Sequence, residues 1–245
     1  MPINTDVDRY EETGHCLIRG NADALLLDTI RRDLLRSIAA FKAHPSYLTS
    51  KTRFYRDFAL GMHMSSEAVA GFIQGPPFEE FTAKVLGEDV DLLFTSTMTK
   101  TAEMSSALDW HQDSAYDKVP GHAKFSFWVA VTDSKRDNGC LRIIPGSHRQ
   151  GLAKHILSRN FPPDLEIETV DEALAEDVEM EPGDILALDP HVFHSSWPNP
   201  SGRLRMALIA GFMKPKQEYQ EFEKKGGYRY LRGGQRRWSK VTDPE

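Results

Sequence analysis

Two short segments carry side chains of the kind that bind metal ions. In Trp110-His111-Gln112-Asp113 a histidine and a carboxylate stand two residues apart. Residues i and i+2 of an extended segment project from one face, so this imidazole and this carboxylate can converge on one ion. His191 and His194 follow a tight turn and an apolar run that reads as a strand. A histidine at the far end of such a strand can reach across a barrel to the first pair.

The combination of ligand types favours iron. Two histidines and one carboxylate on a single face of Fe(II) leave the opposite face open for a chelating co-substrate and O2. Zinc more often recruits a third nitrogen or a sulfur in a tetrahedral site, and neither Cys16 nor Cys140 lies near the two segments. The sequence therefore predicts a non-haem Fe(II) centre, with the choice between His191 and His194 left open.

Two arginines follow the second segment, within Arg203-Leu204-Arg205. A fixed cation one strand away from the metal can bind the distal end of a dicarboxylate through a two-pronged hydrogen-bonded pair. We expect Arg203 and Arg205 to share a strand face, so their spacing does not show which of them binds the dicarboxylate.

These residues must be positioned by the elements around them, and the chain changes character near Gly87. Before it, apolar residues recur at three- and four-residue spacing from Leu27 to Phe41, which predicts a helix. Two further helices are expected over Ser65 to Gln74 and Pro77 to Leu86.

After Gly87, short runs rich in β-branched and aromatic residues alternate with Asn-Gly and Pro-Gly turns, which predicts strands. The expected strands are Asp91 to Thr99, Lys124 to Thr132, Cys140 to Ile144, Asp184 to Leu188 and Arg203 to Met213. The acidic stretch from Asp164 to Glu181 is expected to be a solvated excursion with a short helix near its middle. Helices first and strands afterwards indicate helices packed on an antiparallel β structure.

Four stretches together resemble the phytanoyl-CoA dioxygenase family of Fe(II)- and 2-oxoglutarate-dependent oxygenases. They are Trp110-His111-Gln112-Asp113, the Asn-Gly and Pro-Gly-Ser-His motifs between Asp137 and His148, Pro182-Gly183-Asp184, and Pro190 to Arg205. The resemblance implies a double-stranded β-helix, a cupin-like jelly roll, with N-terminal helices bracing one sheet. It also implies a single oxygenase domain over residues 1–245, with mainly helical support in 1–88, the jelly-roll core in 89–213 and a basic, aromatic extension in 214–245.

The resemblance assigns roles to particular residues. It selects His194 over His191, so that the ligands are His111, Asp113 and His194, and it selects Arg205 over Arg203 as the anchor for 2-oxoglutarate. It further implies that Lys100, Trp128 and Ser196 contact the co-substrate, and that His148 holds its own loop. Asp113 fills the coordination position that halogenating relatives leave to chloride, so the resemblance disfavours halogenation. It implies hydroxylation of an unactivated C–H bond of a small molecule as the default reaction, with O2 consumed and succinate and CO2 released. Desaturation, epimerisation and ring formation would use the same iron centre and stay open.

Composition and charge limit the kinds of partner and the cellular location that the protein can have. The chain has 245 residues and a formal net charge of −6, and this acidic balance argues against a nucleic-acid partner. Two cysteines are too few for a disulfide framework, and no apolar run approaches the roughly 20 residues that span a bilayer. We therefore expect a cytoplasmic protein with a small-molecule substrate and no membrane partner. The extension after Lys214 reads either as a surface segment or as a basic lid.

Two alternatives stay open from the sequence. A cupin-like metal-dependent isomerase, or a dioxygenase without 2-oxoglutarate, would need a third histidine, supplied by His122 or His191. A non-catalytic module on the same fold would instead carry or sense a small ligand.

Overall fold

Helices brace one side of the molecule, as the sequence predicts. The structure is a computed structural model that describes residues 6–20, 22–43, 61–101, 106–116, 123–158, 164–214, 228–231 and 237–240. The long helix begins where the Asp23 carboxylate accepts a hydrogen bond from the amide of Leu26, and the last helix begins with Pro76 in its first turn. The helices are α1 (Val7–Thr13), α2 (Ala24–Ala43), α3 (Met62–Ser65), α4 (Glu67–Phe72) and α5 (Pro76–Val85).

The strands form two main antiparallel sheets. They are β1 (His15–Ile18), β2 (Val90–Lys100), β3 (Leu108–His111), β4 (Lys124–Ala130), β5 (Leu141–Ile144), β6 (His155–Leu157), β7 (Leu165–Ile167), β8 (Glu176–Val178), β9 (Ile185–Leu188), β10 (Phe193–Ser196), β11 (Arg205–Met213), β12 (Tyr228–Leu231) and β13 (Arg237–Lys240). The larger sheet has the order β1-β9-β4-β11-β2-β12-β13, and the smaller has the order β3-β10-β5-β8. Strands β6 and β7 pair with each other.

Strand β4 shows how the larger sheet is buried on both faces. Phe125, Phe127 and Val129 pack with the buried residues of α2 and α5, whereas Trp128 and Ala130 pack on the opposite face. All seven residues of β4 are buried, which explains why its sequence lacks a clean alternation of apolar and polar residues.

The core between the two sheets encloses the site. Trp128, Leu186 and Ala207 of the larger sheet pack against Leu141 and Ile143 of the smaller one. A second layer of buried side chains, including Ile30 and Phe81, joins the helices to the outer face of the larger sheet. The predicted arrangement of a two-sheet jelly roll braced by N-terminal helices is therefore confirmed.

Several short strands were not predicted from the sequence. The acidic stretch was expected to be a solvated excursion, but it contributes β7 and β8, and its expected helix is a 3-10 turn over Glu172–Leu174. Strand β8 is an edge strand of the smaller sheet. Its Val178 side chain is buried in the core, while Glu176 is exposed. Three residues are too few to show a period in the sequence.

The C-terminal extension adds two strands to the larger sheet. Strand β12 pairs with β2 and with β13. The rest of the extension, and with it the choice between a surface segment and a lid, lies outside the described residues. None of the described helices is both long and apolar enough to cross a membrane.

Candidate metal centre

The two predicted histidine ligands face each other on neighbouring strands. His111 ends β3, and its register partner in the antiparallel pair with β10 is His194. Directly opposed side chains of such a pair start about 5 Å apart, and the two imidazole ring centroids lie 4.1 Å apart. The sequence suggested that His194 reaches the first pair from across the barrel. In the structure it instead reaches His111 from the adjacent strand of the same sheet.

Asp113 completes the cluster through a turn. The sequence predicts one extended segment over residues 111 to 113, but Asp113 opens a 3-10 turn that ends at Ala115. The amide of Ser114 donates to the Pro190 carbonyl at 2.9 Å, which holds this turn against the chain that leads into β10. The Asp113 Oδ1 atom lies 3.9 Å from His111 Nε2 and 3.6 Å from His194 Nε2.

Hydrogen bonds orient both imidazoles toward the same point. The Nδ1 atom of His111 lies 2.8 Å from the Asp109 carbonyl, and that of His194 lies 3.0 Å from the Val192 carbonyl. A carbonyl can only accept, so each Nδ1 carries the proton and each Nε2 presents a lone pair. Burial, and then the neighbouring His194, lower the pKa of His111, which keeps this imidazole neutral and able to bind a metal.

One atom from each of the three side chains fits a shared ion. The candidate ligand atoms all lie within 4.8 Å of one another. Two neutral imidazole nitrogens and one carboxylate oxygen are the donor set that suits non-haem Fe(II). The carbonyl partners of the two Nδ1 atoms add the outer support that metal-binding histidines ordinarily have.

Two polar side chains that the sequence analysis left without a role fix this geometry. The buried amide of Gln112 donates to the carbonyls of Gly151 and His191 and accepts from the amide of Ala153. The Ser147 hydroxyl of the Pro-Gly-Ser-His motif donates to the Ile144 carbonyl and accepts from the amide of Phe193.

The motif thus ties β5 to the strand that carries His194. His148 of the same motif has its Nε2 atom 3.2 Å from the Glu11 carbonyl, which is consistent with the loop-holding role expected for it.

The two candidate arginines lie in different surroundings. Arg203 precedes β11, and its Nη2 atom donates to both carboxylate oxygens of Asp137 at the surface, with both distances at 2.7 Å. Arg205 opens β11 and is 1% exposed. Its Nε atom is buried and has no hydrogen-bond partner among the described residues. The two arginines do not share a strand face, and only Arg205 borders the cavity beside the histidines.

Lys100 is the register partner of Arg205 on β2. Its ammonium donates to the Ser106 carbonyl at 2.5 Å, and its side chain is 6% exposed. Burial, and then the nearby Arg205, lower the pKa of Lys100 to about 6. The pKa of Arg205 is lowered by burial to about 10, so Arg205 stays charged at neutral pH while Lys100 is largely neutral.

The Asn-Gly turn shapes the space around Lys100. Gly139 has φ +97°, a conformation that favours glycine. A Cβ atom there would lie 2.6 Å from Lys100 Cδ and 2.9 Å from the Trp197 carbonyl oxygen. Glycine is therefore required both by the backbone and by the close approach of the lysine.

One cavity joins the metal cluster to Arg205 and Lys100. Its volume is about 120 Å³, well above the roughly 10–15 Å³ that one water molecule requires in the same measure. All seven predicted site residues line it: His111, Asp113, His194, Arg205, Lys100, Trp128 and Ser196. The Arg205 guanidinium carbon lies 5.4 Å from the centre of the Trp128 ring, and the buried Ser196 hydroxyl has no partner among the described residues.

The cavity also has walls that the sequence analysis did not identify. Ser126 could have been recognised, because a serine between two phenylalanines in a buried strand needs a reason to be polar. Asp164 and Leu108 come from segments whose sequence gives no such signal. Their place in the wall depends on strand pairing.

The third histidine that the isomerase alternative requires is not found in the cluster. His191 lies beside Asp189, with Nδ1 3.8 Å from its carboxylate, and the cluster that could hold a metal among the described residues contains only His111, Asp113 and His194. His122 lies outside the described residues.

Comparison with known proteins identifies the family. The model of the phytanoyl-CoA dioxygenase (PhyH) family matches residues 10–207, which is most of the chain. The chain belongs to the phytanoyl-CoA dioxygenase family. The resemblance stated from the motifs is thus confirmed, and with it the class, a non-haem Fe(II)- and 2-oxoglutarate-dependent dioxygenase that uses O2.

Individual relatives within the PhyH family are distant. The chain is 33% identical over 125 residues to a phytanoyl-CoA dioxygenase domain-containing protein 1 homolog of Dictyostelium discoideum, an alignment that covers 47% of this chain and 43% of that protein. It is 27% identical to a 1-deoxypentalenic acid 11-beta-hydroxylase of Streptomyces arenae over 81% of this chain and 77% of the hydroxylase.

Among solved structures, EvdO2 of Micromonospora carbonacea var. aurantiaca in complex with 2-oxoglutarate superposes with a TM-score of 0.69. That match covers 99% of this chain and 94% of EvdO2 at 19% identity, and it shows the shared fold.

Proposed function

We propose that this PhyH-family chain hydroxylates an unactivated C–H bond of a small molecule in the cytoplasm, with conversion of 2-oxoglutarate to succinate and CO2. One observation carries the proposal: a cluster of two imidazoles and one carboxylate opens into the same cavity as a buried arginine for which the described residues provide no anionic partner. The similarity to a 1-deoxypentalenic acid hydroxylase supports hydroxylation and a small-molecule substrate.

In this proposal His111, Asp113 and His194 hold Fe(II), whose bound form supplies the oxidising chemistry together with O2 and 2-oxoglutarate. The protein's own contribution is position and shielding. Arg205 binds the distal carboxylate of 2-oxoglutarate, an interaction strengthened by its burial. The Ser196 hydroxyl donates a hydrogen bond to the co-substrate, and Trp128 walls that end of the cavity against water.

The test is turnover of 2-oxoglutarate in the absence of any prime substrate. Protein supplied with Fe(II), 2-oxoglutarate and O2 should release succinate slowly, and the anaerobic mixture should develop a weak visible charge-transfer band. A carrier or sensor on the same fold would bind 2-oxoglutarate without forming succinate. An isomerase would show neither the band nor succinate.

Lys100 should take up a proton when 2-oxoglutarate binds. With its pKa lowered to about 6 by burial and then Arg205, Lys100 is mostly neutral at pH 7.5. A carboxylate placed beside it raises that pKa again, so binding should draw about one proton from the buffer. The uptake should fall to about half at about pH 6, where Lys100 is half protonated, and vanish well below that pH.

The measurement is titration calorimetry of the Fe(II)-loaded protein under anaerobic conditions, in buffers of different ionisation enthalpy. The matched variant Lys100→Met should bind 2-oxoglutarate with no proton uptake. Equal uptake in wild type and Lys100→Met would assign the proton to another group, and no uptake in either would contradict the role of Lys100.

A further inference from the structure

One acidic side chain in the cavity wall is not used by the proposed chemistry. Asp164 lies immediately before β7 and borders the same cavity as His111 and Asp113. The residue is half-buried, and its Oδ2 atom is buried and accepts no hydrogen bond from the described residues. Within the described part of the chain, no lysine, arginine or histidine forms an ion pair with this carboxylate. A buried carboxylate oxygen without a partner is destabilising unless a ligand provides one.

The position of Asp164 is fixed from two sides. Its backbone carbonyl accepts a hydrogen bond from the amide of Ser158 at 2.7 Å, which closes the β6–β7 hairpin. The Tyr116 hydroxyl accepts from the amide of Leu165 at 3.0 Å and donates to the carbonyl of the same residue at 3.3 Å. The Tyr116 ring stands edge-on to His111, with 6.1 Å between the ring centroids. Asp164 is thus held in place beside the metal-binding segment.

The cavity wall carries ionisable groups of both signs. Arg205 and Lys100 are register partners on β11 and β2 and both line the cavity. The ionisable groups that shift the pKa values of Asp164 and Tyr116 are carboxylates. Burial, and then Asp109, raise the pKa of Asp164. Burial raises the pKa of Tyr116 to about 12, with contributions from Asp164, Asp113 and Asp109. Asp109 already accepts a hydrogen bond from the Ser158 hydroxyl at 2.6 Å, so Asp164 is the carboxylate left unsatisfied.

The proposed function leaves this negative charge unmatched. Asp113 is committed to the metal, and Arg205 is committed to the distal carboxylate of 2-oxoglutarate. We propose that Asp164 is a specificity-determining residue that binds a positively charged nitrogen of the prime substrate, so that the enzyme selects a small cationic molecule such as an ammonium or amidinium compound. This inference rests on the proposed function, because it assumes that 2-oxoglutarate occupies the Arg205 end.

The geometry of the ligand follows from the walls. Leu108, Leu188 and Ile209 supply apolar surface in the same cavity. A compact hydrocarbon body with one cationic group would place its body on these side chains and its charge on Asp164. A charge-assisted hydrogen bond of this kind favours the cation over a neutral analogue by about tenfold or more.

Three probes with one six-membered ring test the inference: cyclohexylammonium, cyclohexanol and cyclohexanecarboxylate. Their dissociation constants would be measured by calorimetry at pH 7.5 on protein loaded with Mn(II) and 2-oxoglutarate, which binds without turnover. Wild type should bind cyclohexylammonium at least about tenfold more tightly than cyclohexanol. In Asp164→Asn, which keeps the shape and removes the charge, the two constants should agree within about twofold.

The matched control is Asp89→Asn, which removes the same charge at an exposed position outside the cavity and should keep the wild-type preference. Asp164→Asn should melt no lower than wild type, because it removes the charge from a half-buried carboxylate whose buried Oδ2 atom has no partner among the described residues. Asp164→Ser provides a second variant of different shape that should show the same loss. Failure of wild type to prefer cyclohexylammonium, or a preference that survives in both variants, would overturn the inference.

Succinate formation without prime substrate separates this inference from the proposed function. If Fe(II)-loaded wild type forms succinate but shows no preference for the cation, only the role of Asp164 is wrong. If wild type forms no succinate, the proposed function itself fails, whatever the three probes show.

Discussion

Replacing any one of His111, Asp113 and His194 by alanine should lower succinate formation by about 1000-fold or more. Each substitution leaves a bound ion with two protein ligands, where the candidate site offers three. Loss of one ligand removes several kcal/mol of metal binding and transition-state stabilisation, and each 1.36 kcal/mol corresponds to a factor of ten in rate. Metal content after dialysis, measured by mass spectrometry, should fall in parallel with activity.

His191→Ala is the matched control for these three variants. It removes an imidazole from the turn that precedes β10, three residues before His194, at a position beside Asp189 and outside the cluster. We expect it to keep its metal and most of its activity, and His122→Ala to do the same. A loss of metal in His191→Ala or His122→Ala, together with activity retained in Asp113→Ala, would instead indicate a three-histidine centre. Circular dichroism should confirm that all five variants remain folded.

Replacing Arg205 by methionine should raise the KM for 2-oxoglutarate by about 100- to 1000-fold. Loss of one partner of a buried, hydrogen-bonded charge pair costs about 3–4 kcal/mol, which corresponds to that factor. Arg205→Lys should fall between wild type and Arg205→Met, because lysine keeps the charge and loses the planar, two-pronged geometry. The value of kcat should change less than KM, since the proposed partner of Arg205 is the end of the co-substrate away from the reacting carbon.

Arg203→Met provides the control, because Arg203 pairs with Asp137 at the surface and does not border the cavity. Its KM should stay within about twofold of wild type, as expected for loss of an exposed ion pair. Arg205 also lowers the pKa of Lys100, so Lys100 becomes easier to protonate in Arg205→Met and can replace part of the lost charge. The double variant with Lys100→Met should therefore show the larger defect. An unchanged KM in Arg205→Met would show that another residue binds the distal carboxylate of 2-oxoglutarate.

The charges of the cavity wall that 2-oxoglutarate does not neutralise indicate which class of prime substrate to test first. Arg205 and Lys100, which are register partners, suit an anion, while Asp164 and Asp113 add carboxylates to the wall of the same cavity. A screen for substrate-dependent succinate release should therefore begin with small amines and amidines and continue to neutral and acidic compounds. Mass spectrometry for the gain of one oxygen would then show whether the outcome is hydroxylation.

Much of the fold could be predicted from the sequence because its elements are long or clearly bounded. Helix α2 shows its period over 20 residues, and the strands β2, β4 and β11 carry 7 to 11 residues between turns. Strands of three or four residues, such as β1, β8 and β10, are too short to show a pattern. They form because a neighbouring strand supplies their hydrogen bonds, which is a property of the assembled sheet.

The sequence alone determined the chemical types and the order of the candidate site residues. His111, Asp113, His194 and Arg205 follow from motifs whose spacing is local, and the family model confirms the class that these motifs indicate. Their roles as ligands and anchor stay predictions until the variants above are measured.

Tertiary structure decided which groups meet and what surrounds them. The pairing of β3 with β10 sets His111 opposite His194, and the pairing of β2 with β11 sets Lys100 beside Arg205. Burial then separates two arginines that are alike in sequence, because Arg203 has water and Asp137 as partners whereas Arg205 has neither. Asp164 shows the same effect, since its place in the cavity arises from a hairpin closed by Ser158 and held by Tyr116. Solvation and long-range pairing are properties of the folded chain, so no local pattern of residues could have encoded them.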